Sequence, residues 1–476
     1  MSKGFYTFNP NQNAWNSTLY APTPDTFLKN WEEKIARIQF LYANSELALR
    51  ATFLRTIVSE IQHNKAAIEA LYINETGLSK VRFESEFKRT TDTITLFANH
   101  IASFLNQKKT NLTEDGKKFK KERFAIGPVL ILGSSNFPLA YSTIGGDTVA
   151  ALAAGCCVII KAHPMHVGTS LAVYNCIQRA LQINELPLGI VSHVIDNTYE
   201  WAQRLASNPN IKAIGFTGSE KGGRALMDLV AKRQIPIPIF AEMGSLNPVI
   251  IDQSIERQKL AEISDKIAAS IVTDCGQFCT KPGLLLIYKE YYEEFKKALI
   301  NNLIKHSLSP MLHIEIFQKY ESKKQEIFNL KGLQFHQPKS KLPGIIGHWC
   351  IAEASLENLC TYTNLLEEVF GPFSIICPFE SYHQLQDVLN LLEGQLTTSL
   401  FTKNQEKIAP ELLHFVQTKV GRFIFNGVPT GVSVVEAMQH GGGYPASSDS
   451  RFTAVGPDSI LRFSKEICWQ IHNDEY

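Results

Sequence analysis

Apolar positions along this chain change their period twice, and each change marks a different kind of structure. Between residues 23 and 107 they recur three, four or seven apart: Phe27, Trp31, Ile35 and Ile38 first, then Leu47, Leu54, Ile57 and Ile61, then Phe87, Ile94, Phe97 and Ile101. That period is one buried face of a helix. Thr23-Pro24-Asp25 predicts a cap followed by proline in the first turn, and Glu75-Thr76-Gly77 predicts a turn. The segment reads as a helical layer covering something else. From 108 to 126 the pattern becomes polar. Glu114-Asp115-Gly116 and the run Lys117-Lys118-Phe119-Lys120-Lys121 predict the charged turn of a projecting β-hairpin. Its strand edges need covering, and a partner subunit is one solution.

From 127 to 242 short apolar runs alternate with helical stretches. Strands are predicted at Val129–Leu132, Val158–Lys161, Ile190–Ile195, Ile211–Phe216 and Ile237–Phe240, with helices at 150–154, 166–181 and from Ser219. Short strands without strict alternation, separated by helices, imply a parallel sheet covered on both faces. The fold class is therefore α/β and doubly wound, with ligands expected at the carboxyl ends of the strands. A second α/β unit follows over 243–441. Its predicted elements are a helix at 258–272, a strand at 284–288, a helix at 290–305, and strands at 373–378, 398–402 and 422–426; residues 306–345 show no clear pattern. Residues 459–470 read as a final strand.

Length and composition sharpen the picture in a few places. At 476 residues the chain is too long for one ordinary core. The division expected is 1–107 with 127–242 for one domain, 243–441 for a second, and 108–126 with 457–476 for a small β arm. A net charge of +1 gives no global electrostatic case for nucleic acid. No apolar run approaches the ~18–20 residues of a membrane span, and Met1–Pro10 lacks the basic and apolar regions of a signal peptide. Nine cysteines without repeating spacing argue against a disulfide scaffold and for a reducing cytoplasm. No paired metal-ligand spacing occurs, so no metal is expected.

Candidate chemistry collects at strand ends. After the first strand, Asn136 in Asn136-Phe137-Pro138 could aim an amide at a developing oxyanion; alone it reads more readily as a turn former. After the second, Lys161 could reach a ribose or phosphate, or be a solvated strand end. After the fourth, Gly215-Phe216-Thr217-Gly218-Ser219 with Gly223 offers backbone N–H groups at a helix N-terminus, or a plain cap. After the fifth, Glu242 is a candidate general base or a cap. Finally Cys279, between Gly-Gln-Phe and Thr-Lys-Pro-Gly, is a candidate nucleophile, although a free cysteine is most often a small buried hydrophobe.

Taken together these motifs resemble the aldehyde dehydrogenase superfamily, over nearly the whole length. They are Asn136-Phe137-Pro138, Lys161, the run 215–219 with Gly223, Glu242 in AEMGS, Cys279 in GQFCTKPG, and Glu368-Val369-Phe370-Gly371-Pro372. AEMGSLNP, GQFCTKPG and Ser450-Arg451-Phe452-Thr453 resemble the branch of 2-oxoglutarate semialdehyde (2,5-dioxovalerate) dehydrogenases, which also holds an NADP-dependent bacterial fatty-aldehyde dehydrogenase. The resemblance implies that Cys279 attacks the aldehyde, the Asn136 amide and Cys279 N–H hold the oxyanion, hydride leaves for NAD or NADP, and Glu242 activates water against the thioester. It further implies that Lys161 and Glu368 hold the riboses, Ser219 contacts the pyrophosphate, with Gly215, Thr217, Gly218 and Gly223 also binding the cofactor, and Phe370 flanks the nicotinamide; the hairpin and tail suggest a homodimer or homotetramer.

Two departures carry expectations of their own. Pro164, with His163 beside it, stands where many members have a glutamate for the adenosine ribose. Loss of that carboxylate favours NADP or dual use. Lys281 sits beside the nucleophile, where a cation would help ionise Cys279. For a substrate carboxylate the expected cations are Lys281 and Arg451; a medium or long aliphatic aldehyde would need only an apolar tunnel. Acylation of coenzyme A would not need Glu242. A catalytically silent member would not need Asn136, Glu242 and Cys279 together.

Overall fold

The computed structural model describes residues 4–105, 109–112, 117–340 and 342–472. A short hairpin, β1 (Phe8–Asn9) and β2 (Ala14–Trp15), precedes four helices: α1 (Thr26–Ala43), α2 (Leu47–His63), α3 (Lys65–Thr76) and α4 (Lys80–Leu105). Thr23 does not cap α1. Its hydroxyl accepts the Ile195 N–H at 2.8 Å, and the helix begins three residues later. Gly77, in the left-handed region at φ 68°, closes α3. The apolar stripes expected at Trp31, Ile35, Leu54, Ile57, Ile61, Ile94 and Phe97 are all buried.

A three-stranded antiparallel sheet joins β3 (Lys109–Leu112) and β4 (Lys118–Ala125) to β17 (Ser464–Ile471), in the order β17-β4-β3. Lys118–Lys121 therefore belong to a strand rather than a turn. Their charge is shared by salt bridges such as Lys121 Nζ to Glu466 Oε2 at 2.9 Å. The turn itself, Glu114-Asp115-Gly116, lies outside the described residues. Pro457–Phe463, expected to be largely strand, winds as a 3-10 turn that buries Ile460 and Phe463 against the first core.

That core surrounds five parallel strands: β5 (Val129–Leu132), β6 (Val158–Lys161), β7 (Val191–Val194), β8 (Ala213–Thr217) and β9 (Ile239–Glu242). Their order is β7-β6-β5-β8-β9. Every residue of β5, β6 and β7 is buried, as sheets covered on both faces require. Between the strands run α5 (Gly146–Ala154), α6 (Val167–Ile183), α7 (Glu200–Ser207) and α8 (Glu220–Ala231). The sequence pattern missed α7, whose apolar side is only Trp201, Leu205 and Ala206.

A second sheet has the order β12-β13-β14-β11-β10-β15-β16, parallel except at β12. Its strands are β10 (Val249–Ile251), β11 (Leu284–Tyr288), β12 (Gln334–His336), β13 (Cys350–Glu353), β14 (Phe373–Phe379), β15 (Gln395–Phe401) and β16 (Val420–Phe425). The helices are α9 (Leu260–Val272), α10 (Tyr292–Lys305), α11 (Ile314–Phe328), α12 (Leu356–Thr361), α13 (Tyr382–Leu391) and α14 (Pro410–Lys419). The region 306–345 thus holds a helix and a short edge strand. One segment ties the two sheets together. Met243 N–H donates to Ala446 C=O and Ser448 N–H to Ala241 C=O, while Gly394 N–H donates to Tyr444 C=O and Gly443 N–H to Lys419 C=O.

Candidate active site

The loop that carries Cys279 follows α9 through three successive left-handed residues: Asp274 at φ 47°, Cys275 at 57° and Gly276 at 66°. A Cβ on Gly276 would lie 2.5 Å from the backbone of Gly371, so only glycine fits there. Asp274 accepts from Arg82 Nε at 2.6 Å. Arg82 also pairs with Glu86 at 3.1 Å and stacks over Phe137, its guanidinium carbon 4.4 Å from the ring centroid. Glu86 in turn accepts the N–H groups of Leu139 and Ala140 at 2.8 and 2.9 Å, fixing the turn after Asn136. On the other side, Asn247 donates its amide to the carbonyls of Cys279 at 2.8 Å and Lys281 at 3.0 Å. The nucleophile loop is therefore held from both sheets.

Around the sulfur the structure brings Asn136, Glu242 and Cys279 to one place, as the motifs require. The Asn136 amide donates to Gln277 C=O at 2.9 Å, and a carboxamide has a second N–H to spare. Sequence reasoning missed His440. Its Nε2 lies 3.9 Å from Cys279 Sγ and 3.2 Å from Glu242 Oε1. Donor atoms of Glu242, Cys279 and His440 all fall within 4.8 Å of one another. The contact between His440 and Glu242 is an ion-pair distance without hydrogen-bond alignment. Both Glu242 oxygens and His440 Nδ1 are buried without a hydrogen-bond partner among the described residues. Such orphaned atoms in a site mark where water or substrate belongs. The signal for His440 lay in Ser450-Arg451-Phe452-Thr453: the His440 N–H donates to Thr453 Oγ1 at 3.0 Å, and the Ala454 N–H returns to His440 C=O.

The charges divide unequally. Burial, the Glu242 carboxylate and then Glu368 push the Cys279 thiol well above its ordinary range, and Arg422 opposes them. Burial would also raise Glu242, but the His440 imidazole and the Cys279 thiol outweigh it and leave the carboxyl below its usual value. The resting pair is thus a thiol beside a carboxylate.

Lys281 does not face Cys279. It is buried, with Nζ donating to Phe373 C=O at 2.5 Å, and burial lowers it to about 8. Its charge acts on Glu368, which burial raises to about 7 against Lys281 and the Ser245 N–H. Arg451 is remote in another sense: its side chain is 80% exposed and bidentate on Asp449. Neither cation is free to meet a substrate carboxylate.

Of the expected cofactor residues, Lys161 and His163 lie at the carboxyl end of β6, Gly215, Thr217, Gly218, Ser219 and Gly223 in and after β8, and Glu368 and Phe370 in the loop before β14. Lys161 is buried, lowered by burial to about 8, with Nζ donating to Asp196 C=O at 2.7 Å. His163 accepts the Met165 N–H at 3.3 Å and stacks on His166; burial holds it well below its ordinary value, hence neutral. Ser219 caps α8 by accepting the Gly222 N–H. Gly218 would strike Phe216 with a Cβ, and Gly223 would strike Met243. Gly215 instead admits Asp147 from α5 at the middle of β8, a packing role. Thr217 ends β8 opposite Glu242. Phe370 is half-buried beside Gly371, which touches the nucleophile loop through Gly276. A glycine-lined helix N-terminus, a buried lysine with N–H groups to spare and a buried carboxyl fit a nicotinamide dinucleotide.

The family model described as "Aldehyde dehydrogenase family" matches residues 9–315. The chain belongs to the aldehyde dehydrogenase family. Among relatives of this family, an alpha-ketoglutaric semialdehyde dehydrogenase of Acinetobacter baylyi is 36% identical, covering 97% of this chain and 91% of its own. Alpha-ketoglutaric semialdehyde dehydrogenase 2 of Azospirillum brasilense is 35% identical, covering 93% and 86%. The fold is that of the glyceraldehyde-3-phosphate dehydrogenase of Methanocaldococcus jannaschii complexed with NADP, at TM-score 0.84, 17% identity and coverage of 99% and 100%. The 1-pyrroline-5-carboxylate dehydrogenase from Thermus with bound NAD superposes at TM-score 0.85 with 18% identity, covering 99% and 90%. Among the described residues no helix is long and apolar enough to cross a membrane.

Proposed function

We propose that this enzyme oxidises 2-oxoglutarate semialdehyde to 2-oxoglutarate with a nicotinamide dinucleotide, using NADP in preference to NAD. The likeness to two dehydrogenases named for that semialdehyde, across almost the whole chain, supports the substrate. The observation that carries the chemistry is the meeting of Cys279, Glu242 and His440. The carboxylate of Glu242 takes the Cys279 proton, and the thiolate attacks the aldehyde carbon. The Asn136 amide and the Cys279 backbone N–H stabilise the oxygen as its charge develops. The bound nicotinamide supplies the hydride acceptor. Glu242, relieved of its proton, then draws one from water as that water attacks the thioester, with His440 holding the carboxyl in its ionised form.

Residues 1–107 and 127–242 hold the cofactor in this reading, through Lys161, Ser219 and the glycines around it. Residues 243–441 bring the nucleophile, with Glu368 for the second ribose and Phe370 against the nicotinamide. The preference for NADP rests on Pro164 standing where a carboxylate would repel a 2′-phosphate, with Lys161 still largely protonated at neutral pH. The free state of all nine cysteines fits a reducing cytoplasm. Steady-state assays with 2,5-dioxovalerate, succinic semialdehyde and aliphatic aldehydes, each with both cofactors, test the reading. The highest kcat/KM is expected for 2,5-dioxovalerate with NADP; aliphatic aldehydes winning by orders of magnitude would overturn it.

The arm, 108–126 with 457–476, is proposed to pair copies of the chain as a homodimer or homotetramer. Phe124, Ile467, Trp469 and Ile471 leave apolar surface exposed on it. Light scattering should give a multiple of 53.3 kDa for the full chain. Trp469→Glu with Ile471→Glu should shift the mass toward one chain; an unchanged mass would remove the arm from the interface.

A further inference from the structure

With Lys281 and Arg451 committed elsewhere, two further arginines come near the site: Arg422, whose charge acts on the Cys279 sulfur, and Arg89, which acts on Tyr141 beside it. Arg89 lies two helical turns beyond Arg82 on α4, on the same face. Arg82 has Glu86 and Asp274 for company. Arg89 has neither: it donates to Tyr141 Oη at 2.9 Å and to Val432 C=O. Arg422, on β16, donates to Gly431 C=O at 2.8 Å and Pro429 C=O at 2.6 Å, and its Nε is buried with no acceptor among the described residues. Both guanidinium groups thus grip the single loop 429–432, and both do so through neutral oxygens.

That loop touches the nucleophile loop: Thr430 Oγ1 donates at 3.4 Å to the C=O of Thr280, the residue after Cys279. From the other direction Tyr141 links Arg89 to the site, its ring centroid 6.3 Å from that of His440. The electrostatics agree. Arg422 is lowered by burial and by Arg89, raised by Cys279 and Tyr141, and no acidic side chain of Asp or Glu contributes. Two like charges, half-buried and close to one another without a counter-ion among the described residues, are costly in an unliganded protein. Each guanidinium has five N–H donors, so several remain for a planar, bidentate acceptor such as a carboxylate.

We propose that Arg89 and Arg422 form the subsite for the distal carboxylate of the aldehyde substrate. This deepens the reaction proposed above and rests on it. The aldehyde end reaches Cys279 while the anionic end neutralises the two arginines. Phe137, which meets both Tyr141 and Phe278 edge-on, supplies with them the wall between. The subsite explains how the enzyme would prefer a carboxylated aldehyde to an aliphatic one of equal length: the arginines lose solvation in either case and regain it only from an anion.

The test uses Arg89→Gln and Arg422→Gln in the full chain, with 2,5-dioxovalerate and pentanal as paired substrates. The ratio of kcat/KM for 2,5-dioxovalerate over pentanal is expected to fall about 10- to 100-fold in each variant, mainly through KM. Equal loss on both substrates would reduce the arginines to anchors of loop 429–432 and overturn the proposal; so would an unchanged ratio. A second readout is independent of turnover: glutarate should protect Cys279 from iodoacetamide, read by peptide mapping, in the parent enzyme and not in either variant. Protection that survives in both variants overturns the subsite. If the parent enzyme prefers pentanal yet is protected by glutarate only while both arginines are present, the substrate named above is wrong and the anion subsite stands.

Discussion

Glu242→Gln is expected to slow aldehyde oxidation by about 10²–10⁴-fold and, at the same time, to make Cys279 more reactive toward iodoacetamide. The two effects have opposite signs because the carboxylate does two things. As a base it takes a proton from the thiol and later from water, and glutamine can do neither. As a negative charge against a buried sulfur it holds the thiol pKa up, and glutamine removes that charge. A raised acid is neutral at pH values where an ordinary thiol has begun to ionise. Lowering its pKa therefore increases the thiolate fraction at every pH below the new value, and alkylation follows thiolate. Labelling of Cys279 across a pH series, with Cys279→Ala as the blank, reads the second effect; steady-state production of the reduced nicotinamide reads the first. Unchanged labelling in Glu242→Gln would mean that the carboxylate does not govern the sulfur, and slower labelling that its action as a base outweighs its charge. Turnover by Cys279→Ala would remove the covalent mechanism altogether.

His440→Gln should move the acid limb of the kcat profile to higher pH. Burial acts to raise Glu242, and the His440 imidazole opposes it. Glutamine keeps hydrogen-bonding capacity but not the electrostatic pull of the imidazole, so the burial effect is opposed only by the Cys279 thiol and Arg462 and the folded carboxyl pKa rises. The base works in its ionised form. Activity present above its pKa is lost as pH falls through it, so a higher pKa brings the loss nearer neutrality. Below that pKa the ionised fraction falls about tenfold for every step of one in pH. A pH profile of kcat for the two enzymes decides the matter: coincident acid limbs would confine His440 to packing. Alkylation of Cys279 in the same variant gives an independent check, since a protonated base can no longer raise the thiol as strongly.

What could be read from sequence followed from two kinds of signal. Buried parallel strands such as Val129–Leu132 are continuous apolar runs, and the long helices α2 and α4 have broad stripes; both survive any local context. Elements with little apolar surface left no such trace. The helix α7 buries three residues, and α11 presents Tyr320, Lys324 and Ile327, of which one is a lysine. The site followed the same division. Cys279, Glu242 and Asn136 sit at strand ends or in a glycine-rich loop, where the backbone itself announces them. His440 and Asn247 reach Cys279 across 161 and 32 residues of chain respectively, and nothing local distinguishes them from loop polar residues. Lys281 shows the converse error. Two residues from the nucleophile in sequence, its side chain leaves on the far side and spends its charge on Glu368. Proximity along the chain gave the right loop and the wrong direction.

The segment stitched to both sheets, which carries His440 at one end, has a consequence for how the molecule comes to be active. Synthesis runs from Asn136 through Glu242 and Cys279 to His440, so a growing chain holds base and nucleophile long before it holds the imidazole that keeps the base ionised. The same backbone bonds that bring His440 in also bind β9 to β15 and β16. The base that must accept the thiol proton and later activate water is thereby armed late, by the step that also locks the two halves into register. Assembly and activation are one event in this chain.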